Sequence, residues 1–503
     1  MRAHPFLVFV LLSTGCKNKP GDWKETGDPG TPPPSDPWDD ENEPPLEDTG
    51  EADDTDDDTD DDTADTGSDC DEETPVVRYL SPDDSNSMSS PVQARETVLA
   101  GEDDLSGVTL RTWEFMNYYT FAYDPAPEGE LALHAAMVED ETVSNGYRLQ
   151  IGVSSPAVTE STRPPMTFTF VVDTSGSMNG KGVSAAQESC AAIAASLRAR
   201  DIVSMVTWNE DQTILLDGHE VDGPSDPEVL EAVYSLTAGG TTNLTAGLAI
   251  GYMMADQYES PDSVNRLVLI SDGGANTGIT DEQMIGQYAG SENEDGIYLV
   301  GVGVGSVERY NDLLMDTVTD LGKGASVFIP SEDEAHTMFQ DRFMSTMGVA
   351  GRDVQVRVDL PPGFRVTRFS GEQMSGDPKE VEPQHIAPDD AMVFHQALQT
   401  CAPEILTDDT PVTIEVTWKD ATTFEAKSVS GTWTFSELLA QDPALLWKGA
   451  AIFAYAEALK LWQVQRDPAV FDTAKITLGW ARGYDEDDAD LAEIEGVMGV
   501  LAP

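Results

Sequence analysis

The sequence predicts a doubly wound α/β domain in the middle of a 503-residue chain, with a flanking β-sandwich-like region and C-terminal helices. Three observations carry this. Thr167 to Val172 is a β-branched and aromatic run that suits a central strand covered on both faces. From 167 to 347 strand-like and helix-like patterns alternate, the signature of a parallel sheet wrapped by helices. On either side of that stretch the period returns to two, and after 438 it becomes helical.

The first strand runs into Asp173-Thr174-Ser175-Gly176-Ser177, an Asp-x-Ser-x-Ser turn. Gly176 lets the chain fold back, so that three oxygen side chains at alternate positions converge. Carboxylate and hydroxyl oxygens are hard ligands, suited to Mg²⁺, Mn²⁺ or Ca²⁺. The motif DTSGSM resembles the metal-ion-dependent adhesion site of von Willebrand factor type A (VWA) domains. Two further loops match that family: Gly239-Gly240-Thr241-Thr242-Asn243-Leu244, and the strand 267–270 leading into Ser271-Asp272-Gly273-Gly274. The resemblance implies a metal site of Asp173, Ser175, Ser177, Thr242 and Asp272, with Thr241 the alternative to Thr242. It implies Mg²⁺ as the first candidate, carboxylates acting mostly through water, and an open position for an Asp or Glu of a partner protein. Physically, neutral hydroxyl ligands leave much of the ion's charge unneutralised, which favours an anionic oxygen there.

Within 167–347 the expected elements are a helix over 182–198, strands at 202–208 and 213–216 (the latter an antiparallel edge), and helices over 226–236 and 244–257. Strands follow at 266–270, 296–302 and 325–329. GVGVG at 301–305 lacks the third glycine of a dinucleotide fingerprint and reads as a strand end. Cys190 falls on the apolar stripe of the first helix, which marks it as a buried thiol.

Before this domain, 76–166 reads as β structure with one helical piece at 110–119 and strands at 130–137 and 147–153. Residues 112–130 resemble the segment preceding the VWA domain in the YfbK-type bacterial family. After it, 348–437 holds strands at 354–358, 364–369, 411–418 and 428–435. The two sets form either one sandwich that the α/β domain interrupts or separate small β domains. Residues 438–503 form a helical hairpin, also resembling the YfbK type; Lys448, Glu457 and Lys460 interrupt the apolar run 445–464, which argues against a membrane span.

The N-terminus has the form of an export signal (1–16): a basic start, an apolar core from Phe6 to Leu12, then Ser13-Thr14-Gly15-Cys16. Small residues before Cys16 resemble the bacterial lipobox, with Ser13 where leucine is usual. Lipidation of Cys16 and ordinary signal cleavage both stay open. Lipidation implies anchorage in the cell envelope, and Lys17 in place of an aspartate leans towards the outer membrane. Residues 17–75 have the composition of a disordered acidic tether; 36–73 alone contain 21 acids and no Lys or Arg. Cys70 and Cys401 are available for a disulfide in an oxidising compartment.

A net charge of −64 with only 28 Lys and Arg argues against nucleic-acid binding, which needs basic residues to displace counterions. No GxSxG elbow, HExxH or nucleophile–base pair is present, and the six histidines are scattered. Metal-dependent protein binding, by adhesion or scaffolding, is therefore expected over a metal-assisted hydrolase or a purely structural envelope protein.

Overall fold

The computed structural model describes residues 70–82, 86–159, 162–260, 263–273 and 296–503. The chain divides into two units, 1–63 and 64–503, and everything described belongs to the second. Cys16, the signal and nearly all of the acidic tether lie outside the described residues.

The central sheet is built on β4 (Met166–Asp173), every residue of which is buried. It pairs in parallel with β5 (Ile202–Trp208) on one side and β7 (Val264–Ser271) on the other. β8 (Tyr298–Val304) and β9 (Ser326–Ile329) extend the parallel set, while β6 (Gln212–Glu220) runs antiparallel at the far edge. The order is β6-β5-β4-β7-β8-β9. The chain thus moves one way from β4 to β5 and the other way from β7 to β9. The switch point between β4 and β7, at their carboxyl ends, is where open α/β sheets place ligands.

Helices α3 (Lys181–Ala195), α4 (Pro227–Tyr234), α5 (Leu244–Tyr258) and α6 (Asp312–Gly322) join these strands. α5 comes close to the sheet because Gly247 and Gly251 present no side chain to Trp208 and Val171. Short helices α7 (Glu332–His336) and α8 (Phe343–Met347) lead out of the domain. Cys190 is fully buried in α3.

The remaining strands form two antiparallel sheets. In one, β1 (Val76–Ser81) pairs with β10 (Gly351–Leu360), which pairs with β15 (Pro411–Asp420) and through it β16 (Ala426–Thr434). In the other, β2 (Ala132–Asp140) pairs with β3 (Gly146–Ser154), which pairs with β14 (Ala391–Thr400), and β14 also holds β11 (Phe364–Phe369). Val356 and Val358 of β10, Ile414 and Val416 of β15, and Leu149, Ile151 and Val153 of β3 share one core. Strands from before and after the α/β domain therefore hydrogen-bond in the same sheets, and the chain leaves this sandwich after β3 and rejoins it at β10. A disulfide joins Cys70 to Cys401.

Several elements differ from the sequence reading. Two helices precede the α/β domain: α1 (Ser89–Leu99) was not expected, and α2 (Thr112–Tyr118) is. β14 and the short β12 (Gln373–Ser375) and β13 (Gln384–Ile386) were also not expected. The C-terminal region is not a hairpin: after α9 (Phe435–Leu439) come α10 (Ala444–Gln465), α11 (Asp472–Tyr484) and a third long helix, α12 (Ala489–Leu501). Among the described residues no helix is long and apolar enough to cross a membrane. α10 is held to β3 by Gln150 Nε2 donating to the Leu445 carbonyl at 2.7 Å.

Candidate metal centre

Three loops meet at the carboxyl ends of β4 and β7. The first and second are tied by backbone: Gly176 N–H donates to the Gly240 carbonyl at 3.1 Å and Gly239 N–H to the Thr174 carbonyl at 2.8 Å. Thr174 N–H in turn donates to the Trp208 carbonyl at 2.9 Å, fixing the turn to the end of β5. In the third loop Gly273 takes φ +67°, and a Cβ there would stand 2.9 Å from the Asn311 nitrogen. That close approach lets Asn311 N–H donate to the Asp272 carbonyl at 3.2 Å. Asn311 also caps α6 through its side chain, so the loop's direction is set by a helix start.

On this frame the oxygens line up. Asp173, fully buried, accepts Ser175 N–H at 2.8 Å through Oδ1 and the Ser271 hydroxyl at 2.7 Å through Oδ2. Ser175 Oγ lies 3.0 Å from Ser177 Oγ, and the Ser177 hydroxyl donates to Asp272 Oδ1, also at 3.0 Å. Asp272 is 2% exposed. Burial pushes the Asp173 carboxyl up to about 6, the charge of Asp272 adding to the rise and the Ser271 and Ser175 bonds opposing it. Two buried carboxylates this close repel one another unless a proton or a cation lies between them.

The structure thus brings Asp173, Ser175, Ser177 and Asp272 together. Thr242 sits in the 240–243 turn that packs on the first loop; it is half-buried, whereas Thr241 is exposed. Asn243 is committed to capping α5, accepting Ala246 N–H at 3.2 Å. Among the described residues the Thr242 hydroxyl makes no hydrogen bond. Ser271 and the Gly240 carbonyl, which orient Asp173 and Gly176, escaped the sequence reading. Ser271 had one signal, its place just before Asp272 at a strand end; a backbone carbonyl has none.

The donor set fits a hard cation. All the converging side chains offer oxygen, and among the described residues no cluster of three His, Cys, Asp or Glu competes as a metal site. Beside it opens a cleft of about 350 Å³ lined by Ser177, Asn179, Lys181, Asp272, Ser306 and Arg309, among others.

Residues 168–341 match the family model of the von Willebrand factor type A domain. This segment is a VWA domain. The chain is 29% identical over 223 residues to protein YfbK of Escherichia coli K12, a match covering 44% of this chain and 38% of that one. It is 22% identical over 215 residues to sll0103 of Synechocystis PCC 6803, covering 43% and 50%. The match thus spans two fifths to half of the length of these curated relatives. Among solved structures, the VWA protein of Catenulispora acidiphila aligns over 75% of this chain and 91% of its own, with 17% identity and a TM-score of 0.44. VWA domains bearing this type of site bind divalent cations and mediate protein binding.

Proposed function

We propose that this VWA protein is exported, anchored in the cell envelope through a lipid on Cys16, and binds a partner protein through a divalent cation. The cation is held by Asp173, Ser175, Ser177, Thr242 and Asp272, and the partner supplies an Asp or Glu oxygen. The observation that carries this is the oxygen spacing. Oxygens drawn this close from separate turns can share one hard cation, which Mg²⁺, Mn²⁺ or Ca²⁺ could supply. The Ser175–Ser177 and Ser177–Asp272 separations are both 3.0 Å, so two hydroxyls and a carboxylate face one small space; Mg²⁺ is the ion proposed.

The chain's own residues do three things. The Ser271 hydroxyl and Ser175 N–H hold the Asp173 carboxylate in place. Ser175 and Ser177 offer neutral oxygens, so positive charge is left for the incoming carboxylate. The backbone bonds among Gly176, Gly240, Gly239, Thr174 and Trp208 tie the first two loops to each other and to the end of β5. Bound Mg²⁺ would act as a charge bridge between the protein and its partner. Binding is the reading here because both carboxylates already accept hydrogen bonds within the site, and neither stands apart as a base.

Export is supported by the N-terminal pattern and by the Cys70–Cys401 disulfide, a bond that persists in oxidising compartments. Outer-membrane placement rests on Lys17 following Cys16. Two experiments test the proposal. Capture of partners from envelope extracts, with and without chelator, is expected to give divalent-dependent partners lost in Ser177→Ala and Asp272→Ala; unchanged capture in both variants refutes the metal role. Metabolic labelling with a clickable palmitate analogue is expected to tag the wild type and not Cys16→Ser; no label on the wild type refutes the anchor.

A further inference from the structure

At the opposite end of the sheet from the metal loops, where β7 and β8 begin, a cleft of about 290 Å³ separates the VWA domain from the β15–β16 turn of the sandwich. Its charge is unusual for so acidic a chain. Arg266 lines it, 5% exposed, and among the described residues its Nε, Nη1 and Nη2 donate to the carbonyls of Met347, Asn265 and Gly348. Arg352 lines it too, with Nε donating to the Ala421 carbonyl at 2.9 Å and Nη1 to the Tyr298 hydroxyl. Both guanidinium groups lie against the Tyr298 ring, 5.4 and 4.9 Å from its centroid.

Among the described residues neither arginine has a carboxylate within ion-pair distance. The acids nearby are committed: Asp353 pairs with Lys419 at 2.7 Å and Asp420 with Lys427 at 2.9 Å. Arg352 also lies 4.7 Å from the Phe424 centroid, and the two rings offset part of the repulsion between the guanidinium groups, but they supply no counter-charge, which an anion would. The neighbourhood registers that positive potential. Burial and then Arg352 lower Arg266 to about 10; burial, Arg352, Lys323 and Arg266 hold the His385 imidazole neutral, at about 3, against the pull of Asp353. Arg352 Nη2 makes no hydrogen bond among the described residues, and the exposed Thr422 and Thr423 form the facing wall of the cleft.

The geometry points to a binding site for a small oxyanion, a phosphate or a carboxylate group, held by Arg352 and the charge of Arg266 between the VWA domain and the β15–β16 turn. Such a ligand supplies the missing counter-charge, and Arg352 Nη2 is the donor left to reach one of its oxygens by a charge-assisted bond. The site is independent of the divalent ion.

The test is thermal unfolding and calorimetric titration of the full chain with inorganic phosphate or succinate against chloride at equal ionic strength. Chelator is present throughout, so that no divalent cation can hold the anion. Phosphate, succinate or both are expected to bind and raise the midpoint, and which one does identifies the group. Arg352→Gln is expected to weaken that binding about tenfold or more. Thr422→Glu, on the exposed turn, places a carboxylate at the mouth of the cleft; it is expected to raise the midpoint in chloride and abolish the anion response. A wild type that responds to neither anion overturns the proposal, as does an equal response in wild type and Arg352→Gln. If Arg352→Gln fails to fold, an undiminished response in Thr422→Glu overturns it.

Discussion

Asp173 is where the site's energetics concentrate, because it is a buried carboxylate beside another and is steadied by one hydroxyl and one backbone amide. Ser271→Ala removes the 2.7 Å bond to Oδ2 and leaves the Ser175 N–H bond to Oδ1 alone to orient Asp173. Loss of a partner that orients a ligand lowers metal affinity about 10- to 100-fold; calorimetric titration of Mg²⁺ checks this, and wild-type affinity would show that Ser271 does not position Asp173. The raised titration of Asp173 has a definite sign. Its folded value, about 6, lies above the ordinary 3.8. In metal-free protein the stability this supplies is fully present below about 3.8 and is lost as pH rises through about 6. The carboxylate that then forms is the species that takes a cation, so Mg²⁺ affinity is expected to climb over the same range. His385 and His395, buried neutral and pushed down to about 3, act in the other sense: their stability is present above the ordinary 6.5 and is lost as pH falls through the folded value. The comparison that isolates Asp173 is with Asp173→Asn. Metal-free Asp173→Asn is expected to gain stability relative to wild type as pH rises from 4 to 7, measured by urea unfolding at each pH. A constant difference would contradict the raised titration.

Among elements, α5 shows most directly how packing sets the site, since it starts at the threonine loop and lies on β4. A Cβ on Gly251 would stand 2.3 Å from Val171 Cγ2. Gly251→Ala is therefore expected to destabilise by about 1–3 kcal/mol through overpacking. Gly479 of α11 has nothing within 4 Å of its Cβ position, and Gly479→Ala is expected to stabilise by about 0.5–1 kcal/mol through helix propensity. Denaturant midpoints of the two variants should move in opposite directions; a shared direction would mean α5 is not seated on β4 as described. The strands β4, β5 and β7 were legible because both their faces are buried, leaving uninterrupted apolar runs. β14 was not, because its buried positions include His395 and Gln396. α1 was hidden for the same reason: it buries Ser89, Ser90 and Gln93, and their partners come from distant segments. Ser90 N–H donates to Glu114 and Gln93 Nε2 to Asp312 at 2.9 Å, pairings that no hydrophobic period records.

For the whole molecule, the VWA domain interrupts a sandwich whose strands come from both sides of it, and the Cys70–Cys401 disulfide closes a loop spanning 331 residues. Closing so long a loop restricts the unfolded chain, and Cys401→Ser is expected to lower stability by about 2–5 kcal/mol. The same loss on adding reductant to wild type, and none in the variant, would assign the effect to the bond; no loss in either would show that strand pairing alone sets the closure. The pair was available in the sequence once Cys190 is set on the buried stripe of α3, but whether it forms depends on the two ends of the sandwich meeting, which only the fold supplies. The ligand types of the metal loops were legible because each lies within a few residues of a strand end. Their meeting depends on the sheet order β5-β4-β7, which only the fold supplies.

Titration of Mg²⁺ into chelator-stripped protein by calorimetry tests the central claim most directly. One saturable site is expected in the wild type, tighter for Mg²⁺ than for Ca²⁺, and absent from Ser177→Ala and Asp272→Ala proteins whose circular dichroism is unchanged. No binding heat in the wild type, or wild-type binding in both folded variants, would contradict a cation held by these three loops.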